Sequence, residues 1–197
     1  TLNIENSSII GTDIAVLMQY TNAEITGEET IITSDSFALA VTHNGNETTP
    51  GGTAGHLDIK AGKFVGEIEE LGPTGDAENE AIVIVSGGEF DRPVDTEYLA
   101  DDLNFELYSD NMYTYHKSMD EALKNAEPGD TITEVGAGTP AMEVYTVTLA
   151  YGNGQNDVTT LVQDGGTITL PTPTNSGYIF LGWRDNNNVT HKAGEVV

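Results

Sequence analysis

Short apolar strands recur at a nearly constant interval through the first half of the chain, and this recurrence limits the fold more than any other feature. Leu2-Asn-Ile4 leads to Ile9, Thr30-Ile-Ile32 to Phe37, Leu57-Asp-Ile59 to Phe64, and Val83-Ile-Val85 to Phe90. In each copy the second aliphatic stands five positions before the closing apolar residue, and the copies are 28, 27 and 26 residues apart. Small turn formers fill the gap, as in Lys60-Ala-Gly-Lys63 and Ser86-Gly-Gly-Glu89, so each copy reads as strand, corner, strand. A unit of this length without a helix cannot bury its apolar side alone and must stack on its neighbours. The predicted fold is therefore mainly all-β, a right-handed parallel β-helix, the alternative being an antiparallel sandwich whose turn signals fall at coincidental intervals. Near-continuous apolar runs at 14–18 and 37–41 suit second strands buried in the stack. The Gly-, Pro- and Thr-rich stretches 44–55 and 71–80 are expected to be loops thrown out from its corners.

The fourth copy, Ile82-Val-Ile-Val-Ser-Gly-Gly-Glu-Phe90 followed by Pro93 and Glu97-Tyr-Leu-Ala100, resembles the final coil of β-helical surface proteins from gut bacteria. An alternating strand at 103–107 and an aromatic run from Tyr108 to Tyr115 come next. Ser118-Met-Asp-Glu121 then has the form of a capping box, in which the serine takes the amide of Glu121 and the glutamate reaches back to that of Ser118. Met119, Ala122, Leu123 and Ala126 make one apolar stripe before Pro128-Gly129 ends the helix. This short helix is expected to cap the open end of the solenoid, because an uncovered last coil offers its edge to other molecules. Thr131–Val135 adds a further strand, and Gly136-Ala-Gly-Thr-Pro140 reads as a linker. The expected organisation is a capped β-helix over 1–135, a linker at 136–143 and a separate module at 144–197.

That last module carries several spaced elements in a fixed order. A strand, Tyr145-Thr-Val-Thr-Leu149, precedes Asp164-Gly-Gly, Pro171-Thr-Pro-Thr and Gly177-Tyr-Ile-Phe-Leu-Gly-Trp183. The pattern resembles the Listeria-Bacteroides repeat, the B-repeat of internalin-type surface proteins. The resemblance implies a small β-grasp-like fold and a bacterial cell-surface, cell-wall or secreted location. Tyr178, Phe180 and Trp183 are expected to share a face, with Trp183 as a core anchor. The chain opens at Thr1 without a leader and stops where the repeat normally continues into another strand, so it reads as a fragment of something longer.

Charge narrows the partners. Seven basic residues against 32 acidic ones give a formal net charge of −25, a field that repels phosphate backbones and anionic headgroups. Neither nucleic-acid binding nor membrane insertion is expected, and no run of 18 or more apolar residues occurs. The absence of cysteine excludes disulfides, thiolate metal sites and cysteine nucleophiles.

Catalytic signatures are sparse. With the copies aligned on Ile4, Ile32, Ile59 and Val85, the outward columns read Glu5, Thr33, Lys60, Ser86 and Asn3, Ile31, Asp58, Ile84. Neither holds the two carboxylates that glycosidic cleavage requires. His43, His56, His116 and His191 fall in separate segments, and no cofactor is implied. Asp185-Asn-Asn-Asn188 lacks the central glycine and distal glutamate of a calcium loop. Tyr108, Tyr113 and Tyr115 remain as candidate ligand-binding residues, because sugars stack on tyrosine faces. The expected function is a non-catalytic, adhesin-like surface protein with a display or spacer role and a glycan or a host or bacterial surface protein as ligand. The alternative is a polysaccharide-degrading β-helix enzyme, lyase or hydrolase, using Glu47, Asp76, Glu78 and Glu80 of the two loops.

Overall fold

A computed structural model of the chain describes residues 1–19, 21–42, 55–71 and 81–197. The loops expected at 44–55 and 71–80, with Glu47, Asp76, Glu78 and Glu80, lie almost wholly outside the described residues. Two parallel ladders organise the first ninety residues. One consists of β1 (Leu2–Glu5), β4 (Asn22–Thr26), β6 (His56–Ile59) and β8 (Ile82–Val85), with Ile4, Ile25, Ile59 and Val85 in register. In the other, β2 (Ser8–Ile10) and β3 (Ile14–Gln19) pair with β5 (Ile31–Thr42), followed by β7 (Lys63–Leu71) and β9 (Glu89–Phe90). Here Ile9, Ile32, Phe64 and Phe90 are in register. Both columns point into one core, where each fully buried aliphatic contributes roughly 1.5–3 kcal/mol. The rings of Phe64 and Phe90 stack 5.2 Å apart and 13° from parallel.

The register corrects the period read from the sequence. Ile32 belongs to the second ladder, and the residue aligned with Ile4 and Ile59 is Ile25. The steps between true partners are therefore 21, 34 and 26 residues. The corner after Ile25 is two residues longer than its counterparts, and buried Thr30 holds it by donating its hydroxyl to the Thr26 carbonyl at 2.6 Å. An even spacing of similar tripeptides concealed an uneven spacing of rungs.

At Gly88 the corner backbone has φ of +114°, and a Cβ there would sit 3.1 Å from both Phe64 and Phe90. Only glycine meets both conditions without displacing the rings.

After β9 the chain leaves the parallel pattern. A 3₁₀ turn (Thr96–Tyr98) leads to Leu99, which bridges Val85 as one more rung of the first ladder. The antiparallel hairpin of β10 (Phe105–Ser109) and β11 (Met112–His116) then pairs with β9 through Tyr113 and Phe90. Helix α1 (Met119–Asn125) and strands β12 (Thr131–Glu134), β13 (Met142–Leu149) and β14 (Val158–Gln163) extend the layer. The chain is mostly β, with one α-helix among the described residues, and its large sheet is mixed rather than purely parallel.

The helix does not lie over the end of the stack as expected. That end is covered by the hairpin, whose Tyr115 joins the main core together with Leu103. Helix α1 packs on the other side, where Ala122 and Ala126 meet Leu107, Ile132 and Val144 in a second core. The two faces of the hairpin separate the cores: Tyr113 and Tyr115 of β11 face the main one, Phe105 and Leu107 of β10 the second. Ser118 caps the helix through the Glu121 amide, but the glutamate reaches the amide of Lys117 rather than that of Ser118.

Residues 136–141 form a loop between β12 and β13, which are themselves paired, and Val144 of β13 lies in the second core. Beyond β14, short strands β15 (Trp183–Arg184) and β16 (Thr190–His191) form a hairpin, and Thr169 bridges Val196. Trp183 meets Phe180, whereas Tyr178 is 77% exposed, so the three aromatics do not share a face. The separation of three between Phe180 and Trp183 does not fit a period of two, and Gly182, at φ +149°, sets the intervening backbone against His191 and Thr190.

Truncating the stacked ring should be costly. Phe64→Ala is expected to lower unfolding free energy by about 3–5 kcal/mol in urea titrations, whereas Ile10→Ala, at a side chain 80% exposed, should change it by less than about 0.5 kcal/mol.

Candidate functional site

The β10–β11 hairpin turns at Asp110 and Asn111, whose φ values of 51° and 61° suit a two-residue turn that follows strand twist. This turn sets Tyr108 directly opposite Tyr113, with ring centres 4.7 Å apart and planes 39° apart. Tyr108 is 37% exposed and donates its hydroxyl to Asn111 Oδ1 at 3.2 Å. Tyr113 is half-buried and packs against the main core. The pair presents an aromatic surface at the rim of the capped end.

Tyr115 has a different role. It is buried, its ring 6.1 Å from Phe90, and its hydroxyl accepts from the Val94 amide at 2.8 Å while donating to Glu106 Oε2 at 3.0 Å. Burial above all pushes this phenol well above its ordinary range, so it stays a neutral donor. Of the three predicted ligand residues, Tyr108 and Tyr113 come together at the surface, and Tyr115 supports them from the core. His116 is also partly buried, and desolvation lowers its pKa, with Thr114 Oγ1 3.0 Å from its Nε2.

The corrected register changes the outward columns. They read Glu5, Thr26, Lys60, Ser86 and Asn3, Glu24, Asp58, Ile84, so Glu24 and Asp58 are direct neighbours on adjacent strands. Lys60 forms an ion pair with Glu24, and His56 Nε2 lies 2.9 Å from Asp58 Oδ1. The hydrogen bond to Glu24 is the main cause that raises the Lys60 pKa. This juxtaposition of two carboxylates with a lysine and a histidine was missed because Ile31 and Thr33 occupied the places of Glu24 and Thr26 in the sequence alignment.

At 185–188 the chain makes a side-chain-stabilised turn, in which Asp185 Oδ1 accepts from the amides of Asn187 and Val189 at 2.9 and 2.8 Å. No group of three or more His, Asp or Glu side chains is placed to hold a metal ion among the described residues. His191 is held between two carboxylates, its Nδ1 3.1 Å from Glu195 and its Nε2 3.5 Å from Asp185.

Beside this clasp runs an open trough of about 1170 Å³ between β13 and residues 168–186. Tyr151 and Phe180 meet Trp183 edge-on at 5.2 and 5.5 Å, and the indole Nε1 donates to the Pro171 carbonyl at 2.8 Å. Trp183 is half-buried and contributes to the trough wall rather than lying wholly within a core. Tyr151, just past the first strand of the module, escaped notice because it stands outside the apolar alternation.

The strands β13 and β14 continue the large sheet, and the β15–β16 hairpin follows them. Residues 145–195 match the family model of the Listeria-Bacteroides repeat domain, a repeat typical of bacterial surface proteins. No curated protein and no solved structure matches the chain. No helix among the described residues is long and apolar enough to cross a membrane.

Removing the buried phenol should separate support from contact. Tyr115→Phe leaves the Val94 amide unsatisfied and is expected to cost about 1–3 kcal/mol in chemical denaturation, with Tyr108→Ala close to neutral. The His191 clasp predicts a pH dependence with a definite sign. The hydrogen bond to Glu195 is the main cause raising the His191 pKa, so its contribution is complete below the unfolded value of about 6.5 and is lost as pH rises through the folded one. The carboxyls of Asp185 and Glu195 are held low, foremost by backbone amides, so their share is lost as the solution becomes strongly acidic. The melting midpoint followed by Trp183 fluorescence should peak between about pH 5 and 6.5 and fall above neutrality. His191→Gln should remove the alkaline fall.

Proposed function

We propose that the chain is a non-catalytic, adhesin-like display module of a bacterial surface. In this reading residues 1–135 are a right-handed parallel β-helix with its cap, 136–143 connect, and 144–197 form a β-grasp-like repeat that acts as spacer or assembly unit. One observation carries the display role. Hydrogen-bonded strands run without a break from β2 through β5, β7, β9, β11, β10, β12 and β13 to β14. Stack, cap and the first strands of the repeat therefore share one continuous sheet, which suits a stiff arm better than a flexible tether. The match to a repeat typical of bacterial surface proteins supports the location. The ligand is a glycan that stacks on the exposed ring of Tyr108 beside half-buried Tyr113, on a hairpin fixed from below by Tyr115.

A second reading, a polysaccharide-degrading enzyme, draws on the neighbouring Glu24 and Asp58 with Lys60 and His56 beside them. Each of these carboxylates already has a cationic or imidazole partner, and each lies on an outward strand position. That arrangement suits a solvated ion-pair network better than an acid and base facing each other across a substrate.

Incubating the full chain with immobilised bacterial and host polysaccharides distinguishes the two readings. Display and binding predict retention on at least one polysaccharide, weakened about tenfold by Tyr108→Ala, without new reducing ends or unsaturated sugar ends in solution. Product release that disappears in Glu24→Gln would replace this reading with the enzymatic one.

A further inference from the structure

We propose that the trough of the repeat module is a second binding site, built for a neutral oligosaccharide. It is separate from the Tyr108–Tyr113 pair and stands whether or not that pair binds. Its size is the first argument, since about 1170 Å³ slightly exceeds the usual range for small-ligand pockets and suits an extended chain of several sugar rings. Its walls are the second. Tyr151 and Trp183 supply aromatic surface, while Asn153, Arg184 and Asn186 supply planar polar groups along the same trough. Sugars require both, because their C–H faces are apolar and their hydroxyls need directional partners.

The aromatic wall is already in position. The Trp183 indole is fixed by its bond to Pro171 and by the edges of Tyr151 and Phe180, so little rotamer freedom is left to lose on binding. Arg184 is exposed and forms no ion pair among the described residues, which leaves its guanidinium fork available to adjacent hydroxyls.

Charge selects the class of sugar. Before Tyr145 the chain holds 28 acidic and five basic residues, a net −23, whereas from Tyr145 onward it holds four and two, a net −2. An acidic glycan must approach through the field of the body, while a neutral one meets a nearly neutral module. A second protein copy suits the lining poorly. Exposed Tyr178 and Ile179 on the rim would welcome an apolar surface, but a protein lid would strip water from Asn153, Arg184 and Asn186 without supplying matched partners.

Trp183 is the chain's single tryptophan, so its fluorescence reports on the trough directly. The full chain is first applied to an array of neutral and acidic glycans, and the strongest neutral hit is titrated against Trp183 emission. The expected result is a saturable spectral change, about tenfold weaker in Tyr151→Ala and in Arg184→Ala and unchanged in Tyr108→Ala. Tyr151→Phe should retain binding, and unchanged near-ultraviolet circular dichroism guards against misfolded variants. The proposal is overturned if no neutral glycan is captured or if acidic glycans bind as well as neutral ones. It is equally overturned if the emission change tracks protein concentration alongside dimers in sedimentation. A Trp183 response with no effect of Tyr108→Ala on retention would leave the trough standing and sink the Tyr108 site alone; retention that depends on Tyr108 without any Trp183 response would sink the trough alone.

Discussion

The structure turns on a two-residue strand. Phe90 in β9 pairs in parallel with Phe64 of β7 on one side and antiparallel with Tyr113 of β11 on the other. A parallel stack ends in a rung whose amides, carbonyls and inward side chains have no successor, an edge that invites pairing with foreign strands. A local hairpin covers such an edge only where strand direction reverses, so one residue must serve both patterns. Phe90 does this with its backbone in two ladders and its ring between Phe64 and Tyr115. The aromatic column thus passes from the stack into the cap without an interruption in packing.

The first ladder is closed by other means, and the two closures support each other. Leu99 adds a rung beside Val85, and Ala100 donates its amide to the Val85 carbonyl at 2.9 Å. The turn before it is fixed at Asp95, whose carboxylate accepts the Glu97 amide, and at Tyr98, whose hydroxyl accepts the Glu70 amide at 3.2 Å. The hairpin can then lie across both ladders, with Tyr115 bonded to Val94 in the segment between them. Helix α1 builds a second, smaller core on the far side of the hairpin, with Ala122 and Ala126 buried in it and Met119 and Leu123 packed at its edge. The small side chain of Ala122 lets the helix lie close to the β10–β11 hairpin, while the main core receives Phe64, Phe90 and Tyr115.

Much of this arrangement was legible in the sequence, and the exceptions share a cause. Inward positions such as Ile4, Ile59, Phe64, Val85 and Phe90 announce themselves because alternation is local and burial demands it. Which strand lies beside which is a non-local property, and the extra corner residues before Ile31 shifted the apparent partner of Ile4 from Ile25 to Ile32. That single slip hid the neighbouring carboxylates of Glu24 and Asp58. The aromatic run illustrates the same limit, because Tyr113 and Tyr115 share a face of β11 by alternation. Only the position of Phe90 and Val94 determines that one is half-buried and the other enclosed. In the repeat, Trp183 and Phe180 meet without a common strand period, so no periodicity argument was able to place them.

The charge distribution gives the two halves of the chain different rules of association. In the acidic body, Lys60, Lys63, Arg92 and Lys117 all form ion pairs with carboxylates. Exposed pairs of this kind are worth about 0–1 kcal/mol each, so their main effect is to relieve repulsion where carboxylates crowd adjacent strands. The excess negative charge remains, and it opposes approach of another acidic edge to the open side of β1, β2 and β3, where Leu2, Ile10 and Leu17 are exposed. The repeat module lacks that protection, with two basic residues against four acidic ones, and among the described residues it carries the most exposed large apolar side chains, Ile179 at 87% and Leu181 at 89%. Contacts at that end are therefore decided by shape and hydrogen bonding rather than by long-range repulsion. Long-range repulsion is weakest along the aromatic-lined trough beside Tyr151 and Trp183.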